Sequence, residues 1–292
     1  MFSKYVAIDG VAINYFHTGA STLPGTPPAL ERGELLLFAH GAGSNAHTWH
    51  RQLAHVAAAH SGLAFDFPGH GRSGSTDGLP DLDAHVRCVE QLAEALRLRP
   101  FVYVGRALGG AVGLAFALAH PERLRALILV ATPARFDIPQ ASLDTWHAVT
   151  MGRATQPFDM RLFAPGADMA VVRECFMEQV KTDPRVRYTD LLAGRGLDFT
   201  DRLGALRLPT LVITGRADHF CPPDKAEDVQ RRIVGAQLAV IDNAGHMLSS
   251  EQPDAFNAAV DHFLTTLAPP AALPSPAPAG EGQAGGSRPP RA

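Results

Sequence analysis

The run Phe101-Val102-Tyr103-Val104-Gly105-Arg106-Ala107-Leu108-Gly109-Gly110-Ala111-Val112-Gly113 decides the fold. Phe101 to Val104 are apolar and β-branched or aromatic, as in a buried strand, and the small residues from Ala111 to Ala117 suit a closely packed helix. The glycines between them have a steric reason, because a sharp strand-to-helix turn leaves no room for side chains beside it. In the frame G-x-S-x-G, the nucleophile elbow, such a turn presents a serine hydroxyl over the end of a sheet. Here Ala107 occupies the serine position. The frame is present and the hydroxyl is absent.

Four further segments follow strand-like runs. His40-Gly41-Ala42-Gly43 comes after Leu35 to Ala39, and Asp66-Phe67-Pro68-Gly69-His70-Gly71-Arg72-Ser73 after Leu63 to Phe65. Gly215-Arg216-Ala217-Asp218 comes after Leu211 to Thr214, and Asn243-Ala244-Gly245-His246 after Leu238 to Asp242. A further strand is expected at Ala126 to Val130. These runs are continuously apolar rather than alternating, as in parallel strands covered on both faces. Leu82, Val86, Val89, Ala93 and Leu96 recur at helical spacing, so strand and helix alternate and a doubly wound α/β sheet follows. Asp9-Gly10 splits Val6 to Ile8 from Val11 to Phe16 and predicts an opening hairpin.

With these motifs in this order, the sequence resembles the α/β-hydrolase superfamily over residues 1–267. The resemblance implies a mostly parallel, doubly wound sheet of eight strands with an inserted helical cap. It divides the chain into a first core part (1–133), a cap (134–206), a second core part (207–267) and a tail (268–292) whose proline, alanine and glycine content predicts disorder. Within the cap, helices are expected over 143–151, 169–180 and 188–192. Its Trp146, Met151, Phe158, Phe163, Phe176, Met177 and Phe199 are expected mostly in the cap's own core, with one or two lining an apolar pocket.

The resemblance also assigns roles. Ala107 stands at the nucleophile position, Asp218 is the acid and His246 the histidine, in the superfamily's chain order. Asp218 would accept the Nδ1 proton of His246 and fix its tautomer. Asp137 is a rival acid. The backbone amides of Ala42 and Leu108 would form an oxyanion hole, which replacement of a serine side chain does not remove. Asp66 and Arg72 read as structural, Trp146 as bordering a substrate, and Trp49 as either bordering a substrate or packing in the core.

Without the oxygen no covalent acyl-enzyme forms at position 107. Three readings stay open: general-base chemistry by His246 and Asp218 on a small, largely apolar carbonyl or ester-like substrate; a catalytically silent small-molecule binder on the same scaffold; and a serine esterase whose serine has been replaced by alanine. Composition excludes other classes. A net charge of −3 draws the chain to neither nucleic acid nor an acidic membrane surface. Three scattered cysteines (Cys88, Cys175, Cys221) lack metal-ligand spacing and suit a reducing compartment. No apolar run is long enough for a membrane span, and no basic leader precedes an apolar core, so a cytoplasmic location is expected. No cofactor or metal motif is expected, and oligomeric state is not legible.

Overall fold

The computed structural model of the chain describes residues 2–20 and 26–269. Phe2–Ile8 (β1) and Val11–His17 (β2) form the opening hairpin, and both turn residues, Asp9 and Gly10, take positive φ (47° and 77°). Six strands follow: Leu35–Ala39 (β3), Ser61–Phe65 (β4), Phe101–Arg106 (β5), Leu124–Val130 (β6), Thr210–Gly215 (β7) and Gln237–Ile241 (β8). They build one eight-stranded sheet in the order β1-β2-β4-β3-β5-β6-β7-β8. β1, β2 and β4 pair antiparallel, and every pairing from β4 through β3 to β8 is parallel.

Between the strands run His50–Val56 (α1), Leu82–Ala95 (α2) and Leu108–Ala119 (α3). Asp81 caps α2 by accepting from Ala84 N at 2.7 Å, and Val86, Val89 and Ala93 turn inward as their spacing predicts. The chain leaves the sheet after β6 for Gln140–Thr150 (α4), Met169–Gln179 (α5) and Pro184–Gly194 (α6), and returns at β7. Pro223–Arg232 (α7), Leu248–Glu251 (α8) and Pro253–Thr265 (α9) complete the fold. Strands β3, β4, β5 and β7 are buried along their whole length, as expected of a doubly wound sheet. β8 departs from that pattern. It closes the sheet as an edge strand, so Gln237 to Val240 are only half-buried.

Helix α6 begins earlier than apolar spacing predicts, because Pro184 suits the first helical turn and Asp183 caps it by accepting from Arg185 N at 2.8 Å. The aromatic and methionine residues between β6 and β7 also divide differently from expectation. Trp146, Phe163 and Phe199 are buried, whereas Met151, Phe158 and Met177 stand about half exposed (54%, 46% and 51%) on the outer surface. Three short helices offer too little interior for all of them. From residue 270 onward the expected tail lies outside the described residues, as do Leu23 to Gly25 of the preceding proline-rich loop.

The elbow is where backbone meets backbone. A Cβ on Gly105 would sit 2.3 Å from Gly109 O, one on Gly109 2.5 Å from His40 O, and one on Gly110 2.0 Å from Thr132 Oγ1. Tyr103 Oη donates to Gly109 O at 2.9 Å and ties the start of α3 to β5. Ala107 is thereby held at φ 50°, ψ −113°, a conformation that costs a residue with a side chain about 1–3 kcal/mol. Gly105→Ala should destabilise the chain by about 2–3 kcal/mol through this clash. Gly204→Ala, where a Cβ meets nothing nearer than 4.0 Å, should change stability little. Thermal or denaturant unfolding of both variants checks the contrast.

Candidate active site

The elbow and the four other loops that carry the site motifs open at the carboxyl ends of β3, β4, β5, β7 and β8, where open α/β sheets bind ligands. His40 follows β3, Asp66 follows β4, Ala107 follows β5, and the Asp218 and His246 loops follow β7 and β8. Between these ends and the helices α4 and α6 lies a cavity of about 250 Å³. Its wall includes Ala42, Ala107, Leu108, Trp146 and His246.

His246 Nδ1 lies 2.9 Å from Asp218 Oδ2 and 3.1 Å from Oδ1, which leaves Nε2 for the cavity. Asp218 is fully buried, and its Oδ1 also accepts from Phe220 N at 2.8 Å and Cys221 N at 3.0 Å. Burial alone pushes this carboxyl up, but the His246 charge and hydrogen bond and the two amides outweigh it and hold it below the usual carboxylate range. The histidine loop is pinned from outside. Glu251 accepts from Gly245 N at 2.9 Å and Ala164 N at 2.7 Å, and Met247 N donates to Leu162 O at 3.1 Å. Gly215 and Gly245 permit the close approach, since a Cβ on either would come within 2.6 Å of neighbouring backbone. Phe220 stands edge-on to the His246 ring at 5.2 Å.

On the other side, the amides of Ala42 and Leu108 have no hydrogen-bond partner among the described residues, and both residues line the cavity. Leu108 opens α3, so its N–H is one of the unsatisfied donors of a helix start. The Ala42 loop is braced twice. His40 Nε2 accepts from Phe67 N at 3.1 Å, which puts the proton on Nδ1 and lets it donate to Gly41 O at 2.9 Å. Burial, with the nearby His70 charge, keeps His40 well below the usual histidine value and therefore neutral. The second brace comes from α6: Asp190 Oδ2 accepts from Gly43 N and from His70 Nε2, each at 2.8 Å.

Two sequence readings need correction. Trp49 does not border the cavity; it is 1% exposed and packs between Phe38 (5.3 Å) and Phe256 (6.1 Å) in the core. Its distance along the chain from His40 carries it onto the sheet rather than over the strand ends. Asp137 reaches the cavity wall but pairs with Arg135 at 2.8 Å, leaving His246 to Asp218. Asp66 fits its structural reading, accepting from Ala46 N at 2.7 Å and Arg72 N at 2.9 Å, while Arg72 contributes only backbone and its side chain is exposed.

Sequence reasoning missed Asp190, Glu251, Arg106 and Arg187. Asp190 and Glu251 act on loops far away in sequence, so local pattern gives no signal. Arg106 had one: an arginine inside a buried strand-turn-helix frame must find partners. Among the described residues, His47, His50 and Glu174 bring three ligand-type atoms within 4.8 Å of one another outside this cavity. Arg51 already holds Glu174 at 2.7 Å, and the two imidazoles stack at 9°, so their lone pairs run in parallel planes. That geometry does not converge on an ion.

A sequence profile described as the alpha/beta hydrolase family matches residues 36–259. The chain is 26% identical over 273 residues to a 3-oxoadipate enol-lactonase of Acinetobacter baylyi, covering 90% of this chain and 97% of that protein. It is 28% identical to a 2-hydroxy-6-oxononadienedioate/2-hydroxy-6-oxononatrienedioate hydrolase of Burkholderia vietnamiensis, covering 90% and 95%. The crystal structure of a hydrolase from Pseudomonas aeruginosa superposes with a TM-score of 0.76 at 28% identity, covering 90% of this chain and 98% of that one.

The Asp190–His70 pair makes stability depend on pH in a defined direction. Burial pushes Asp190 up, but the His70 charge and hydrogen bond, with His85 3.8 Å away, reverse this and hold it below the carboxylate range. Burial pulls His70 down, but the Asp190 charge and hydrogen bond raise it above its ordinary value. The raised histidine contributes stability below its unfolded value of about 6.5, lost as pH rises through the folded one; the depressed carboxylate contributes above about 4, lost as pH falls through its folded one. Asp190→Asn should therefore cost about 3–5 kcal/mol near pH 5–6 and less above neutrality. Unfolding free energies of both proteins from pH 5 to 9 check the sign.

Proposed function

The chain belongs to the alpha/beta hydrolase family of enzymes, and we propose that it acts on a small carbonyl or ester-like substrate with His246 as general base. In this reading residues 134–206 cap the site, Ala107 marks the floor beneath the reacting carbonyl, and the amides of Ala42 and Leu108 stabilise the oxyanion. Asp218 holds His246 with Nδ1 protonated, leaves Nε2 as the base and stabilises the imidazolium once it forms. The proton comes from a water or from the substrate itself. No acyl group passes through residue 107, because its methyl offers no lone pair.

The observation that carries this reading is the dyad at 2.9 Å in one cavity with two unsatisfied backbone donors. A scaffold used only for binding has no need of a buried carboxylate bracing the histidine or of free amides at the elbow. In a serine protease, loss of the nucleophile alone costs about 10⁶ in turnover and leaves about 10³–10⁴ over water. Substrates with a good leaving group or an acidic proton are therefore the suitable ones. The enol-lactone and the oxo-dioates in the relatives' names carry a carbonyl of the kind an oxyanion hole serves.

Two variants test the proposal. His246→Ala should lower turnover of a responsive ester or enol-lactone by about 10²–10⁴-fold. Ala107→Ser keeps the Cβ direction, meets a backbone strain that alanine already bears, and should raise hydrolysis of p-nitrophenyl esters. If His246→Ala leaves turnover unchanged while the fold persists, the general-base assignment fails. If Ala107→Ser gains nothing, the dyad or the oxyanion hole is not competent.

A further inference from the structure

Two guanidinium groups in the cavity wall have no carboxylate within ion-pair distance among the described residues. The wall carries five cationic side chains (Arg106, Arg135, Arg161, Arg187, Lys225) and three acidic ones (Asp137, Asp159, Asp190). Arg135 holds Asp137 at 2.8 Å, Arg161 holds Asp159 at 2.7 Å, and His70 holds Asp190 at 2.8 Å. Lys225 lies 3.3 Å from Phe220 O. Among the described residues no carboxylate pairs with Arg106 or Arg187, and each has a buried Nε without an acceptor. A guanidinium taken out of water without an anion is costly, and a carboxylate is the planar partner that matches its fork.

The two arginines are held differently. Arg106 is 3% exposed and is fastened into the wall, Nη1 to Met247 Sδ at 2.8 Å and Nη2 to Ser44 Oγ at 3.0 Å. Arg187 reaches in from α6. Its stem crosses Gly43, where a Cβ would come within 2.5 Å of it, and its head lies over the Trp146 ring, 4.4 Å from the centroid. Nη1 donates to Gln179 Oε1 at 3.1 Å, and Nη2 has no protein partner among the described residues. Trp146 beneath the head and Gln179 at Nη1 hold the guanidinium and leave Nη2 for a ligand. The crossing at Gly43 places that head beside the loop that carries Ala42.

We propose that Arg187 is a specificity-determining residue that binds a carboxylate on the substrate, with the Arg106 charge adding to the field, while the reacting carbonyl lies at Ala107. This rests on reading the cavity as the substrate site and amends the expectation of a largely apolar ligand. Burial draws Arg187 down to about 10, Asp190 opposes that fall and the Arg106 charge adds to it; a bound anion would restore the usual basicity. Apolar wall residues such as Leu108, Ile138 and Leu191 would hold the rest of a small, amphipathic acid.

The test is calorimetric titration of the full chain with 3-phenylpropionate and with 3-phenylpropionamide, which has similar shape and no charge. The acid should bind about tenfold tighter or better. Arg187→Gln should abolish that preference with little change in amide affinity, and Arg187→Lys, which keeps the charge but loses the fork, should retain part of it and keep the test readable if the glutamine variant fails to fold. Equal binding of acid and amide by the natural chain, or a preference that survives Arg187→Gln, overturns the assignment. Inorganic phosphate displacing the acid at lower concentration than acetate does would overturn the choice of a carboxylate. Binding needs no turnover, so the two readings separate. A kept preference with turnover untouched by His246→Ala sinks the general-base reading alone, and a lost preference with His246-dependent turnover sinks the carboxylate subsite alone.

Discussion

The approach of α3 to the sheet, backbone against backbone, is the constraint on which the site depends. Gly105, Gly109 and Gly110 leave no space for a Cβ, so the turn between β5 and α3 can close only with Ala107 in a strained conformation. That closure fixes three things together: the Cβ direction of residue 107, the free N–H of Leu108 at the helix start, and the position of the His40–Gly43 loop against Gly109. Strain of this kind persists where surrounding packing over-determines it. Here it persists although the hydroxyl it would present is gone.

Around that fixed turn, charge is arranged in layers. Asp218 is answered by His246 and two amides, and Asp190 by His70 and Gly43, so each buried carboxylate does positional work on a loop of the site. The helical excursion between β6 and β7 is therefore coupled to the sheet through ions as well as apolar contact. Arg106 and Arg187 are the exceptions in this ledger, and the imbalance gives the cavity its positive character.

The sequence made the sheet legible because parallel strands buried on both faces read as continuous apolar runs, and because the elbow and the acid and histidine turns sit immediately after them. Asp218 and His246 could be placed for that reason. Residues whose role depends on distant loops were not legible: Asp190 works on Gly43, and Glu251 on Ala164, across folds of the chain that no local pattern encodes. Trp49 shows the opposite failure, since nearness in sequence to His40 suggested the cavity while the turn into α1 sends its ring to Phe38 and Phe256. The exposed Met151, Phe158 and Met177 likewise escaped a reading in which apolar residues of a small helical segment are taken as core.

The central claim is that chemistry at this cavity proceeds by a histidine base without a covalent intermediate at residue 107. Intact-protein mass measurement during turnover of an activated ester, on the natural chain and on Ala107→Ser in parallel, tests it most directly. The account predicts product from the natural chain with no acyl mass gain, and a transient acyl adduct at position 107 of the variant. An acyl adduct accumulating on the natural chain, mapped to any side chain of the cavity, would contradict it.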